Sequence, residues 1–290
     1  MTRATVIATG PLATIQDLGR PGYQHLGVPR SGAADRVAMT LANRLVGNSE
    51  DAATIETTLG GLVLRCDTDT LVAVTGADAS VSVNGVAVGV NSAVVARAGT
   101  NVEVGTPHWG CRNYVAARGG FDVEPSLGSR STDTLSGTGP PPLAQGDELR
   151  VGDADETWPA TLHAPADTRR VGVVELTAFP GPRANRLSEP GDLFAGTWEV
   201  TTASNRVGVR LRRRDGDTAP TLTHRTDLPE MPSEGVAHGA VQVPPAGEPV
   251  IFLADHPVTG GYPVVGVLSA TSVSAAAQLV AGTLVRFQPG

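Results

Sequence analysis

Apolar residues along this chain recur mostly at alternate positions in short runs, the period of half-buried β-strands. Val81, Val83, Val86 and Val88 flank the dipeptide Asn84-Gly85. An Asn-Gly pair between alternating apolar residues predicts a two-residue hairpin. Val94-Val95 and Val102 to Val104, separated by Ala98 to Asn101, predict the next strand pair. Further strands are expected at Leu71 to Val74, Arg112 to Ala117, Val171 to Leu176, Trp198 to Thr201, Val250 to Leu253 and Leu284 to Phe287. Helical spacing is clear only for Val37, Ala38, Leu41, Ala42 and Leu45, with Asp35 placed to cap the start and Gly47 the end. Ser272 to Leu279, ahead of Gly282, is a shorter candidate. Many strands and few short helices predict a mostly β protein built of compact barrels.

The segment from Gly152 to Arg170 has no period and is rich in Asp, Thr, Ala and Pro. It predicts a first domain over 1–155, a linker or long exposed loop over 156–170, and a second domain over 171–290. Val6 to Pro11 and Val171 to Pro182 both run from a β stretch into a Gly/Pro turn, a weak echo between the halves.

Composition sharpens this picture. The 290 residues carry Gly 35 and Pro 22 without a repeat, as many turns between short strands require. The formal charge of −7 and the scarcity of aromatic rings argue against nucleic acid as a partner. All 22 basic residues are arginine. A chain without lysine cannot form a Schiff base, use a P-loop lysine or carry biotin on itself. Cys66 and Cys111 are too few for a disulfide framework or a Cys-rich zinc site. The start of the chain lacks a signal-peptide apolar run, and no stretch has the roughly 20 apolar residues of a membrane helix. The expectation is a cytoplasmic protein that does not enter membranes.

No G-x-S-x-G elbow, H-E-x-x-H helix, P-loop or G-x-G-x-x-G turn is present, and the six histidines are scattered, so no metal site is expected. Three segments instead combine Gly, Pro, Arg and small polar residues in the manner of functional loops. They are Thr14 to Tyr23 continuing to Gly32, Arg118 to Asp122 with Leu127 to Asp133, and Gly239 to Gly247 with Asp255 to Pro263.

These segments carry a resemblance to the allophanate hydrolase subunit 2, or carboxyltransferase A/B, family. The matching pieces are T-I-Q-D-L-G-R-P-G-Y at Thr14 to Tyr23, S-G-A-x-D at Ser31 to Asp35 and the stretch from Ala42-Asn43 to Gly47-Asn48. Others are Glu56 with Gly60-Gly61, G-S-R-S-T at Gly128 to Thr132, S-N-R-x-G-x-R-L at Ser204 to Leu211, and the Gln242 to Pro263 block. The chain departs from the family pattern at Gly181 to Leu187, at His256-Pro257-Val258 and at Arg212-Arg213-Arg214.

The resemblance implies two cyclophilin-like β-barrel lobes and a hydrolase role within a larger complex. The implied reaction is ATP-dependent opening of the 5-oxoproline lactam, with ATP and Mg2+ bound by this chain or its complex. Two partners are implied: a B-like subunit (allophanate hydrolase subunit 1 or Kip inhibitor-like) and a LamB/YcsF-like A subunit. Alternatives within the resemblance are a carboxyltransferase half acting on urea or another amide with a separate biotin carrier, and a non-catalytic regulator of a Kip inhibitor-like partner. Asp17 and Asp255 are the expected catalytic acids. Arg20, Arg130, Ser131, Arg206, Arg210, Gln242, Thr259 and Tyr262 are expected to bind substrate or phosphate, with Asp17, Arg20, Arg130, Arg206 and Asp255 converging on one cleft. Arg213, outside the pattern, is expected to tolerate change.

Overall fold

The computed structural model describes residues 2–154, 157–166 and 172–290. The chain divides into two units, Met1–Pro21 with Ser31–Arg169 and Gly22–Arg30 with Arg170–Gly290. The motif stretch Thr14 to Gly32 is therefore shared between them.

The first unit contains β1 (Arg3–Thr9), β2 (Leu12–Gln16), helix α1 (Arg36–Val46), β3 (Thr54–Thr58), β4 (Leu62–Cys66), β5 (Thr70–Val83), β6 (Val86–Val88), β7 (Ser92–Ala96), β8 (Thr100–Ala117) and β9 (Glu148–Arg150). The nine strands make one sheet in the order β2-β3-β8-β4-β1-β9, with β5 on β8 and both β6 and β7 on β5. Register shifts between Gly76 and Val81 break the β5–β8 ladder, and such bulges re-aim a strand. One face buries Val6, Ile15, Ile55, Leu64, Val74 and Val115. The other receives Met39, Ala42 and Leu45 of α1 against Tyr114 and Ala116. Alternation along β8 thus feeds two cores from one strand.

The second unit contains β10 (Val174–Pro180), β11 (Trp198–Val200), β12 (Gly208–Arg213), β13 (Glu234–Gly235), β14 (Ala240–Gln242), β15 (Val250–Phe252), β16 (Thr259–Gly260), β17 (Val264–Leu268), helix α2 (Ala270–Ala276) and β18 (Leu284–Pro289). Seven strands close a barrel in the order β10-β17-β14-β15-β12-β11-β18. The parallel pairing of Val174–Ala178 with Val285–Pro289 completes it. β13 and β16 form a separate two-stranded ribbon. The molecule is mostly β with few short helices, and no helix among the described residues is long and apolar enough to cross a membrane.

The local signals behave unevenly. The Asn84-Gly85 hairpin forms between β5 and β6, with φ of 51° and 76° at its two residues, as a mirror-image turn needs. Helix α1 starts from Asp35, whose carboxylate accepts the Ala38 N–H at 3.1 Å, and ends on left-handed Gly47. The expected pairing of Val94-Val95 with Val102 to Val104 is wrong. Among the described strands β7 pairs with β5 alone, and that part of β8 pairs with β4 and β5. The turn at Ala98-Gly99 joins two strands that flank a third. The second helix spans Ala270–Ala276 rather than Ser272 to Leu279, because Ser269 caps it by accepting the Ser272 N–H. Of the strand expected at Val171 to Leu176, Val171 lies outside the described residues, and β10 begins at Val174.

The supposed linker is described over 157–166, the rest of 155–171 lying outside the described residues. That stretch docks on the first unit. Ala93 N–H donates to the Leu162 carbonyl at 2.8 Å and Ala164 N–H to the Asn91 carbonyl at 2.9 Å, and Ser92 bridges His163. The Arg118 guanidinium lies 4.9 Å over the Trp158 ring.

Candidate functional site

The expected site residues are divided between the units: Asp17, Arg20, Arg130 and Ser131 belong to the first, and Arg206, Arg210, Gln242, Asp255, Thr259 and Tyr262 to the second.

In the first unit the chain leaves β2 at Gln16 and turns at Asp17. The Asp17 carboxylate accepts four hydrogen bonds: from Gly19 N–H at 2.7 Å, Ser129 Oγ at 2.7 Å, Arg130 N–H at 2.6 Å and Ser131 Oγ at 2.5 Å. Its own N–H donates to Ser131 Oγ at 3.0 Å. One buried carboxylate thereby fastens the T-I-Q-D-L-G loop to the G-S-R-S-T loop, 112 to 114 residues away. Arg20 is fully buried, its Nη2 donating to the Ser131 carbonyl and its Nε to the Ser126 carbonyl at 3.4 Å. Arg130 turns outward, donating to the Val123 carbonyl at 2.9 Å and pairing with Asp122 at 3.2 Å. Gly32 crosses this knot so closely that a Cβ there would lie 2.8 Å from Gly19 N, and its φ of 99° suits glycine.

Beside it sits a second buried set. Glu56 and Tyr114 are register partners on β3 and β8. Tyr114 O–H donates to Glu56 Oε2 at 2.7 Å, and the Ala34 N–H reaches the same oxygen at 3.0 Å. Arg112 Nε lies 3.4 Å from Glu56 Oε1. The Asp35 N–H in turn donates to the Tyr114 oxygen at 2.7 Å, tying the start of α1 to the sheet. Burial, reinforced by the Glu56 charge, pushes the Tyr114 phenol well above its usual range and keeps it neutral. Glu56 was visible in the sequence as a motif position, but nothing there signalled its union with Tyr114 and Arg112.

In the second unit Arg206 and Asp255 form a bidentate pair at 2.8 and 3.0 Å, both buried. Such fork geometry suits a carboxylate and satisfies both groups. Next to it, His256 Nδ1 lies 2.8 Å from the Pro257 carbonyl, an acceptor, so that nitrogen holds the proton. The His238 ring stacks on His256 at 6.2 Å and 13°. The two sit on the line of the β13–β16 ribbon, in which Glu234 faces Gly260, Gly235 faces Thr259 and Val236 N–H donates to the Val258 carbonyl. Arg183, in the Gly181 to Leu187 stretch that departs from the family pattern, pairs with Glu234 through two hydrogen bonds. That pair holds the Glu234 carboxyl below its ordinary range. Gln242 is buried and donates to the Tyr262 carbonyl at 2.8 Å. Thr259 and Tyr262 are exposed, the latter 47%. Arg210, also exposed, sits on the outer face of β12.

Arg213, expected to tolerate change, is held by the fold at several points. Its guanidinium stacks 3.6 Å from the centre of the buried Trp198 ring and donates to the carbonyls of Ala195, Asp192 and Pro220 at 2.5, 2.9 and 2.7 Å. Among the described residues no three His, Cys, Asp or Glu side chains converge as a metal site would require.

Against known proteins, the profile of the carboxyltransferase domain, subdomain A and B, matches residues 26–289. The C subunit of 5-oxoprolinase from Escherichia coli is 32% identical over 97% of this chain and 89% of its own length. Its counterpart of the same name from Haemophilus influenzae is 31% identical over 95% of this chain and 87% of its own. Among solved structures, the urea amidolyase of K. lactis superposes with a TM-score of 0.89 at 29% identity. That match covers 99% of this chain but only 18% of the far longer enzyme. With motif loops, fold and profile in agreement, the chain belongs to the family of carboxyltransferase domains with subdomains A and B.

Proposed function

We propose that this chain is one component of an ATP-dependent 5-oxoprolinase, a hydrolase that opens the 5-oxoproline lactam to glutamate. The observation that carries this reading is the match to two 5-oxoprolinase C subunits over nearly the full length of both partners, whereas urea amidolyase is matched over a small part.

The chemistry explains the demand for ATP. A lactam carbonyl is a poor electrophile. Transfer of the γ-phosphoryl group to its oxygen, releasing ADP, gives an activated carbon that water can attack. Cleavage of the C–N bond in the resulting adduct, with a proton passing to the nitrogen, leaves the acyl phosphate of glutamate, and a second water hydrolyses this to glutamate and phosphate. Cations must hold the phosphoryl oxygens, and only arginine can supply them from this chain. On the geometry, Asp17 and Arg20 are positioning residues. They fix the two motif loops through contacts internal to the first unit. Of the residues expected to bind substrate, Arg210, Thr259 and Tyr262 are exposed.

The test is reconstitution. Mixed with a B-like subunit and a LamB/YcsF-like A subunit, the protein should release glutamate from 5-oxoproline only when ATP is supplied. Alone it should turn over neither compound. An assembly inert towards 5-oxoproline that instead uses carboxylated biotin to carboxylate urea would favour the carboxyltransferase reading, which the K. lactis superposition keeps in play.

A further inference from the structure

Trp158, in the first unit, takes no part in the loops described above and exposes 67% of its surface. One face is backed by Arg118, 4.9 Å from the ring centre. That guanidinium is fixed by hydrogen bonds to the carbonyls of Val46 and Thr157, both at 2.8 Å. Trp158 forms a wall of a groove of about 460 Å3, lined also by Asp69, Thr70, Arg97 and Asp153. A volume in this range accommodates a mononucleotide.

The groove lies where strands end. Thr70 opens β5, Arg97 follows β7, and the Arg118 N–H, just past β8, donates to the Leu71 carbonyl at 2.8 Å. Register carries the same end of the sheet across to the motif loops. Val72 faces Ala117, Ile55 faces Val115, and Gln16 faces Thr54. The groove and the Asp17 knot therefore occupy one end of one sheet.

We infer that this groove binds a purine nucleotide, an inference that rests on the ATP-dependent reading above. The chemistry divides among three side chains. The indole offers a bicyclic platform for a base, made rigid by the arginine behind it. Asp153 is an exposed carboxylate able to accept hydrogen bonds from ribose hydroxyls. Arg97 supplies the phosphate cation. Its present partner is Asp69, at 2.6 Å in an ion pair with side chains 74% and 51% exposed. Exposed pairs of this kind are weak, so the doubly charged phosphate competes well for the guanidinium. Asp69 then keeps its second hydrogen bond, from the Ala98 N–H at 2.8 Å.

Titration of the full chain with ADP and Mg2+, followed by calorimetry, tests this site separately from the reaction. Trp158→Ala, which removes an exposed ring, should weaken ADP at least about tenfold. Trp158→Phe should restore most of the loss, and Arg97→Gln should weaken ADP while sparing adenosine. Two outcomes overturn the inference: no ADP binding by the chain, or binding that Trp158→Ala leaves unchanged. Tripolyphosphate binding as tightly as ADP would also overturn it, by showing an anion site without base recognition. Trp158-dependent ADP binding in a chain whose reconstituted assembly ignores 5-oxoproline would keep the site and sink the proposed reaction instead.

Discussion

At the residue scale, charge in this chain is legible as type but not as role. Asp17, Arg20, Arg206 and Asp255 stood out in the sequence as charges among Gly and Pro. The structure shows them buried, with hydrogen bonds to groups of their own units. Arg213 is the opposite case, since nothing in an off-pattern run of three arginines signals a structural role. Its role depends on a buried Trp198 ring and three carbonyls that only the closed barrel brings near. Arg213→Ala should therefore lower unfolding stability by about 2 kcal/mol or more, from lost charge-assisted hydrogen bonds and ring contact, read from the urea midpoint. The buried Arg206–Asp255 pair makes a sharper prediction. Arg206→Ala strands a carboxylate in the interior and should cost about 3–5 kcal/mol. Replacing both partners together by apolar residues should recover much of that loss. If Arg206→Ala instead keeps wild-type stability and removes only the activity of the assembled enzyme, the pair serves substrate rather than fold.

Elements were readable wherever the signal is local. The Asn84-Gly85 turn and the cap-to-cap frame of α1 depend on a few adjacent residues, and both form where the pattern puts them. Pairing partners were not readable. The short turn at Ala98-Gly99 looks like a hairpin, yet β5 supplies the hydrogen bonds to both flanking strands. The docking of 157–166 was hidden for a related reason. Its backbone hydrogen bonds go to Asn91 and Ala93, so no periodicity of its own was needed. At this scale the cap of α1 is testable. Asp35→Ala removes the acceptor for the Ala38 N–H and should cost about 1 kcal/mol, whereas Asp35→Asn or Ser should restore most of it. Because the Asp35 N–H also holds the Tyr114 oxygen, the near-ultraviolet tyrosine signal should change with the Ala variant if the start of α1 shifts.

At the scale of the whole molecule, the mostly β class was legible from strand count and composition. The division of the first motif stretch between two units was not, because only contacts among distant segments define it. Composition also sets how the molecule responds to alkali. With no lysine, the side chains that titrate between neutrality and the arginine range are cysteine and tyrosine. Three of them are buried. Burial, with the nearby Asp67 charge, pushes the Cys66 thiol up to about 11, burial raises Cys111, and burial with Glu56 raises Tyr114. In each case the neutral form is favoured by the fold, so the folded value lies above the unfolded one. The contribution to stability is then complete below the unfolded value, about 8.5 for a thiol and 10 for a phenol, and shrinks as pH rises past it. Each group adds a slope approaching about 1.4 kcal/mol per pH unit while its folded form stays protonated. Stability should accordingly be level around neutrality and fall steeply between about pH 9 and 11. The double variant Cys66→Ala/Cys111→Ala should flatten the onset near about pH 9, and Tyr114→Phe the steeper part above about pH 10, each at some cost to stability at neutral pH. Urea midpoints collected across that range measure both effects. An unchanged alkaline slope in all three substitutions would mean that these groups titrate alike in the folded and unfolded chain.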